Sequence, residues 1–85
     1  MWKFEWTKKS EKEFLSLDSK TRNRIIDAVN DKLLKHPDYY LVPLTGDKSG
    51  FFKFRVGDYR LICSKRDDKL VVTVLRVKHR REVYE

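Results

Sequence analysis

The strongest constraint on this chain is the punctuation of its second half. Three apolar runs, residues 51–56, 59–65 and 70–77, are separated by Gly57-Asp58 and Asp67-Asp68, pairs suited to tight turns. Runs of that length joined by turns that short pair as neighbours, so this half predicts an antiparallel meander. The last run, Leu70 to Val77, is apolar at almost every position, which predicts burial on both faces in the interior of the sheet. An interior strand needs a neighbour on each side. Trp2, Phe4 and Trp6, alternating with Lys3 and Glu5 at the period of a half-buried strand, supply it.

Between these strands the apolar period changes from two to that of a helix. Thr7 or Ser10 caps a short helix carrying Phe14, Leu15 and Leu17. Asp18 or Ser19 caps a longer one, in which Ile25, Ile26, Ala28, Val29, Leu33 and Leu34 recur at helical spacing until His36-Pro37 stops it. Residues 37–49 read as a packed loop, and Trp2, Trp6, Tyr39 and Tyr40 read as core. The expectation is a single α+β domain over residues 1–85, in the order β-α-α-β-β-β, with two helices on one face of a four-stranded antiparallel sheet.

Composition narrows the function classes. A chain of 85 residues holds one core and no second module. The lone Cys63 excludes a disulfide framework within the chain and suits a reducing cytoplasm. The N-terminal residues alternate charge and aromatic, so neither a signal peptide nor a membrane span is expected. His36 and His79 are the only histidines and no carboxylate cluster has ligand spacing, so no metal or other cofactor is expected.

The formal charge is +7, and its distribution is uneven. Residues 1–47 carry nine basic and eight acidic side chains, whereas residues 48–85 carry eleven and five, a net +6. That asymmetry points to a polyanionic partner, nucleic acid or an acidic protein. The pleat sharpens the point. Phe52, Phe54 and Val56 share one face, so Lys53 and Arg55 share the other, and a turn at Gly57-Asp58 sets Arg55 directly opposite Arg60. Like charges facing each other on a sheet cost stability, so the fold has no need of the pair and loss of Arg60 is expected to cost little. The antiparallel return of the last strand brings the tail, Lys78 to Tyr84, beside the same pair.

Arginine forks match phosphate oxygens, and a cluster of cations can stabilise the charge that builds on phosphorus during transfer. RNA carries its own nucleophile, the 2′-OH, so no metal is needed. On this reading Lys53, Arg55 and Arg60 hold and activate the phosphodiester, with Lys53 a candidate base. Imidazole is suited to proton transfer near neutrality, so His79 is a candidate beside Arg80. Tyr84 stacks on a base or meets the 2′-OH, and Lys48, Lys78 and Arg81 bind the RNA backbone.

Three stretches, Trp6 to Leu17, Leu44 to Cys63 (LTGDKSGFFKFRVGDYRLIC) and Val77 to Tyr84 (VKHRREVY), resemble the RelE/ParE superfamily of bacterial toxins over essentially the whole chain. The resemblance implies two helices on a four-stranded antiparallel sheet, and a toxin that cuts messenger RNA on the ribosome through the 2′-OH. It implies catalytic roles for Lys53, Arg55, Arg60, Arg80 and Tyr84, with His79 similar to a histidine of other ribosome-dependent members. Which of His79, Arg80 and Arg81 is the general acid stays open. Here the tail is shorter around the arginines, and no C-terminal helix is expected. The implied partners are the ribosome, its message and a RelB-like antitoxin with an acidic contact segment, DNA being reached only through that antitoxin. A ParE-like inhibitor of DNA gyrase, or an inactive antitoxin-binding relative, are the competing readings.

Overall fold

The computed structural model describes residues 1–83. Its frame is the meander set by the turns: β3 (Phe52–Val56), β4 (Tyr59–Arg66) and β5 (Val71–His79) pair antiparallel in that order. At the first turn Gly57 takes φ +57°, the glycine-first pattern of a tight hairpin, and a Cβ there would meet the Arg24 guanidinium carbon at 3.2 Å. The turn fixes Val56 opposite Tyr59, Arg55 opposite Arg60 and Phe54 opposite Leu61.

β1 (Lys3–Trp6) lies beside β5 but runs parallel to it, and a two-residue strand, β2 (Val42–Pro43), pairs with Lys53 and Phe52 at the far edge. The sheet is therefore five-stranded and mixed, in the order β1-β5-β4-β3-β2, rather than four-stranded and antiparallel. No hairpin joins β1 to β5, so nothing local dictates their relative direction. The parallel course brings the end of β1 to Val74, where α1 (Lys8–Leu15), capped by Thr7, begins.

From that point α1 stands in for a strand. Thr7, Ser10 and Glu13 recur every three residues on one helix face and meet the edge of β5 that β1 leaves open. The Thr7 N–H and the Ser10 hydroxyl donate to the Val74 carbonyl at 3.2 and 2.5 Å, and the Thr7 hydroxyl donates to that of Leu75 at 3.3 Å. The Glu13 carboxylate accepts from the Val77 N–H and from the Arg76 guanidinium, each at 2.8 Å.

α2 (Ser19–Ala28), capped by Asp18, passes into a π-helical turn, Val29–Leu33, so the helix expected to reach His36 changes pitch instead of continuing as one α-helix. Ile25, Val29 and Leu33 are fully buried against Phe54, Leu61, Cys63, Val72, Val74 and Val77, and the helices cover one face of the sheet. Residues 37–49 hold more than a loop: α3 (Pro37–Tyr40), then β2, then a 3₁₀ turn at Gly46–Lys48. Tyr39 is not core, being 80% exposed, whereas Trp2, Trp6 and Tyr40 pack half-buried against the core. Where no C-terminal helix was expected, one turn, α4 (Arg80–Val83), packs against β4 and β5.

β5 is not buried on both faces. Ile62 pairs with Arg76 but Cys63 pairs with Val74, so Leu75 is the extra residue of a β-bulge. The bulge shifts the phase of the strand. Val72 and Val74 before it and Val77 after it all enter the core, while Arg76 and Lys78 face the other way.

Arg60 corrects a second expectation. It is 3% exposed, and its guanidinium donates to the carbonyls of Gly57 and Tyr59 at 3.0 Å each, clamping the hairpin turn. The facing cation costs up to about 1 kcal/mol, less than the two charge-assisted bonds contribute. Arg60→Ala is therefore expected to lose about 1–3 kcal/mol in urea unfolding, and Arg55→Ala, at an exposed position, under about 0.5 kcal/mol. Equal stability of the two variants would show the clamp to be idle.

Glu13 gives the fold a pH dependence. Burial alone would raise its carboxyl, but hydrogen bonds from Arg76 and the Val77 N–H outweigh this and hold it below 4.5. A group depressed in the folded state contributes stability above its unfolded value and loses it as pH falls through the folded one. Glu13→Gln is thus expected to reduce the difference in unfolding free energy between about pH 6 and about pH 3 relative to the unsubstituted chain. Two parallel pH profiles would contradict this.

Candidate functional site

The face of the sheet opposite the helices collects the cations. Because Arg55 pairs with Arg60 and Arg60 with Lys78, three adjacent strands place one basic side chain each in a single row across that face. Lys53 precedes Arg55 by two residues along β3 and faces Ile62, which in turn faces Arg76. Arg55 is exposed and Lys53 and Lys78 are half-buried, whereas Arg60 is turned into the hairpin clamp and Arg76 into its pair with Glu13. Arg55 is the exposed cation of the row.

Among the described residues, hollows adjoin the row on several sides. A groove of about 270 Å³ is lined by the apolar Leu44, Phe51, Ile62 and Leu75 and by the charged Lys48, Arg76, Lys78 and Glu82. A notch of similar volume, about 270 Å³, opens at the edge of β3 and is lined by Lys53, Arg55 and Arg60 together with Tyr40, Val42 and Phe54.

The tail meets the same end of the sheet. The Arg80 N–H donates to the Asp58 carbonyl at 2.7 Å, and the Arg80 side chain lies 3.8 Å from the Asp58 carboxylate, at the turn that precedes Arg60. Arg81 is exposed on α4. His79 pairs with Tyr59, on the covered side of the pleat, and its ring lies edge to face with the Tyr59 ring at 5.4 Å. The structure therefore separates His79 from the row that holds Arg60 and Lys78. Tyr84 lies outside the described residues. Among those that are described, no group of three or more His, Cys, Asp or Glu could hold a metal ion, and no helix is long and apolar enough to cross a membrane.

Reasoning from the residues had grouped Lys53, Arg55 and Arg60 with one or more of His79, Arg80 and Arg81 and with Tyr84, and had set Lys78 among the RNA-binding residues. The register brings Lys53, Arg55 and Arg60 to one face, adds Lys78 to their row and turns His79 to the other side. That reasoning missed Arg76 with its Glu13 partner, and the aromatic wall of the notch. A signal for the first was present, since Arg76 and Lys78 interrupt the apolar run at alternate positions. The wall had none, because Tyr40 and Val42 reach the notch through a two-residue strand too short to show a period.

Comparison with known proteins places the fold. The fold is shared with the solved toxin–antitoxin complex RelBE2 of Mycobacterium tuberculosis, at 24% identity over 92% of this chain and 96% of that one, with a TM-score of 0.86. The intact RelBE complex of E. coli matches at 20% identity over 93% and 96%, TM-score 0.74, and the archaeal RelE–RelB complex of Pyrococcus horikoshii at 24% over 93% and 94%, TM-score 0.68. No curated protein matches the sequence. The model of the family described as the ParE toxin of type II toxin–antitoxin systems, parDE, matches residues 4–84. That match takes in the hairpin, the cationic row and the tail together, and the chain accordingly belongs to the ParE toxin family of type II toxin–antitoxin systems, within the RelE/ParE superfamily.

Proposed function

We propose that this toxin is a metal-independent endoribonuclease that cleaves messenger RNA on the ribosome by way of the RNA 2′-OH. The observation that carries the reading is the basic row on the open face, with Arg55, Arg60 and Lys78 at paired positions on three strands and Lys53 beside them. A phosphodiester laid across the row meets Lys53, Arg55 and Lys78, which offset the charge that grows on the phosphoryl oxygens as the 2′-oxygen attacks. The rigid strands hold these donors before the RNA arrives, so little reorganisation is needed during the reaction. On this reading the Lys53 amine takes the proton of the 2′-OH and gains its charge as that on the phosphoryl oxygens grows. Arg60 acts by fixing the turn that carries the row, and Arg80, held at that turn by Asp58, donates a hydrogen bond and counter-charge to the leaving 5′-oxygen, which takes its proton from water. Tyr84 orients the nucleotide, and Lys48 and Arg81 bind flanking phosphates.

A proteinaceous antitoxin is the partner this reading supplies, as in the solved RelB complexes of the structural relatives. Its acidic segment would lie along the half of the chain with net charge +6. The ParE description of the family favours a second reading, inhibition of DNA gyrase. The two diverge in the use of the row, since binding gyrase requires no set of phosphate donors.

Induction of the chain is expected to produce new 5′ ends on a translated message in primer extension, and Arg55→Ala to slow their appearance by about 10²-fold. Arg55 is the variant of choice because it is exposed and takes no part in the turn clamp. Absence of new ends, or equal cleavage by the variant, would overturn the reading. In a supercoiling assay the purified chain is expected to leave gyrase unaffected at concentrations that arrest translation.

A further inference from the structure

The notch at the edge of β3 has a composition that phosphate binding does not explain. β2 pairs Val42 with Lys53 and goes no further, because Leu41 turns inward to be buried in the core. The edge of β3 is therefore open from Phe54 onward. Into the gap come Tyr40, half-buried and edge to face with Phe54 at 6.1 Å, and Val42, which is 49% exposed. Lys53, Arg55 and Arg60 line the same hollow of about 270 Å³.

A site for phosphate alone needs only the cations. An apolar wall beside them fits a ligand whose flat apolar part is attached to an anion, and every RNA residue presents that pairing. The volume admits one nucleobase, and a strand held on the row would already pass Lys53 and Arg55. We infer that the notch is a nucleobase subsite, in which one base of the bound RNA packs against Tyr40 and Val42 while its phosphate is held by Lys53 and Arg55. The inference rests on the reading that the chain acts on RNA. It adds a contact to base as well as backbone, and so a source of preference among nucleotides. An apolar residue next to a glutamate in a protein partner has related chemistry, but aromatic stacking and continuity with the row favour RNA.

The test uses the free chain and small probes. In two-dimensional NMR titrations, AMP is expected to move the Tyr40, Val42 and Phe54 amide signals and to bind at least about ten-fold more tightly than inorganic phosphate. Tyr40→Phe, which keeps the ring, should bind AMP like the unsubstituted chain. Tyr40→Leu should bind it no better than phosphate while binding phosphate unchanged. Should Tyr40→Leu fail to fold, nuclear Overhauser contacts from the Tyr40 ring to the base protons of AMP in the unsubstituted chain decide the point, their absence overturning the inference. Equal affinity for AMP and phosphate overturns it, as does tighter binding of an acetylated Phe-Glu dipeptide at the same residues. RNA cleavage with no preference for AMP over phosphate removes the subsite alone, and AMP bound in the notch by a chain that cuts no message removes the nuclease reading alone.

Discussion

The position of β5, and the single extra residue in it, governs which side chains meet the helices and which meet solvent. It pairs with β1 on one side and β4 on the other, so its phase is transmitted to the whole sheet. Strict alternation from Val74 would carry Arg76 and Lys78 into the core and expel Val77. The bulge at Leu75 prevents this, and α1 holds the bulge in place: Thr7 bonds the Leu75 carbonyl, and Glu13 bonds both the Val77 N–H and the Arg76 side chain. An edge that would otherwise leave backbone groups unpaired is closed by three side chains of one helix. The site thus depends on residues that never touch it.

Arg60 shows why a charge pair on a sheet is weak evidence of a binding site taken alone. Its opposition to Arg55 looked like an arrangement that only an anion could justify, yet its guanidinium is spent on the carbonyls of Gly57 and Tyr59. Buried behind the turn, it contributes charge to the row without offering an accessible fork. Of the cations in the row, Arg55 is the one exposed to solvent. The row spans three strands on the face turned away from the core; a polar outer face is what packing alone gives, and the single sign of charge along the row is the part that packing does not require.

Much of this was legible in the residues because turns and pleat are local. Gly57-Asp58 sets the hairpin register, and the register forces Lys53, Arg55 and Arg60 to one side. The parallel direction of β1 was not legible, since it is decided by where α1 must begin and no short-range pattern encodes that. β2 escaped notice for a different reason: two residues, one of them Pro43 at an edge, carry no alternation. Arg76 and Lys78 did mark the phase shift in β5, but the density of Val and Leu around them gave the appearance of a strand buried on both faces. His79 lies one residue after Lys78, and in a pleated strand one residue is enough to change sides.

The edge strand that was hardest to foresee also shapes the site most. A longer β2 would have paired with Phe54 and Arg55 and closed the sheet there, leaving the cations on a flat wall. By stopping at Val42, with Leu41 drawn into the core and Tyr40 resting on Phe54, the chain leaves an opening through which the open face meets the aromatic side of the helical layer. Cations alone attract any polyanion and discriminate little, because the phosphate backbone is the same at every residue. An apolar wall set against them can respond to what the backbone carries, so in this fold the capacity for selectivity lies where regular pairing ends.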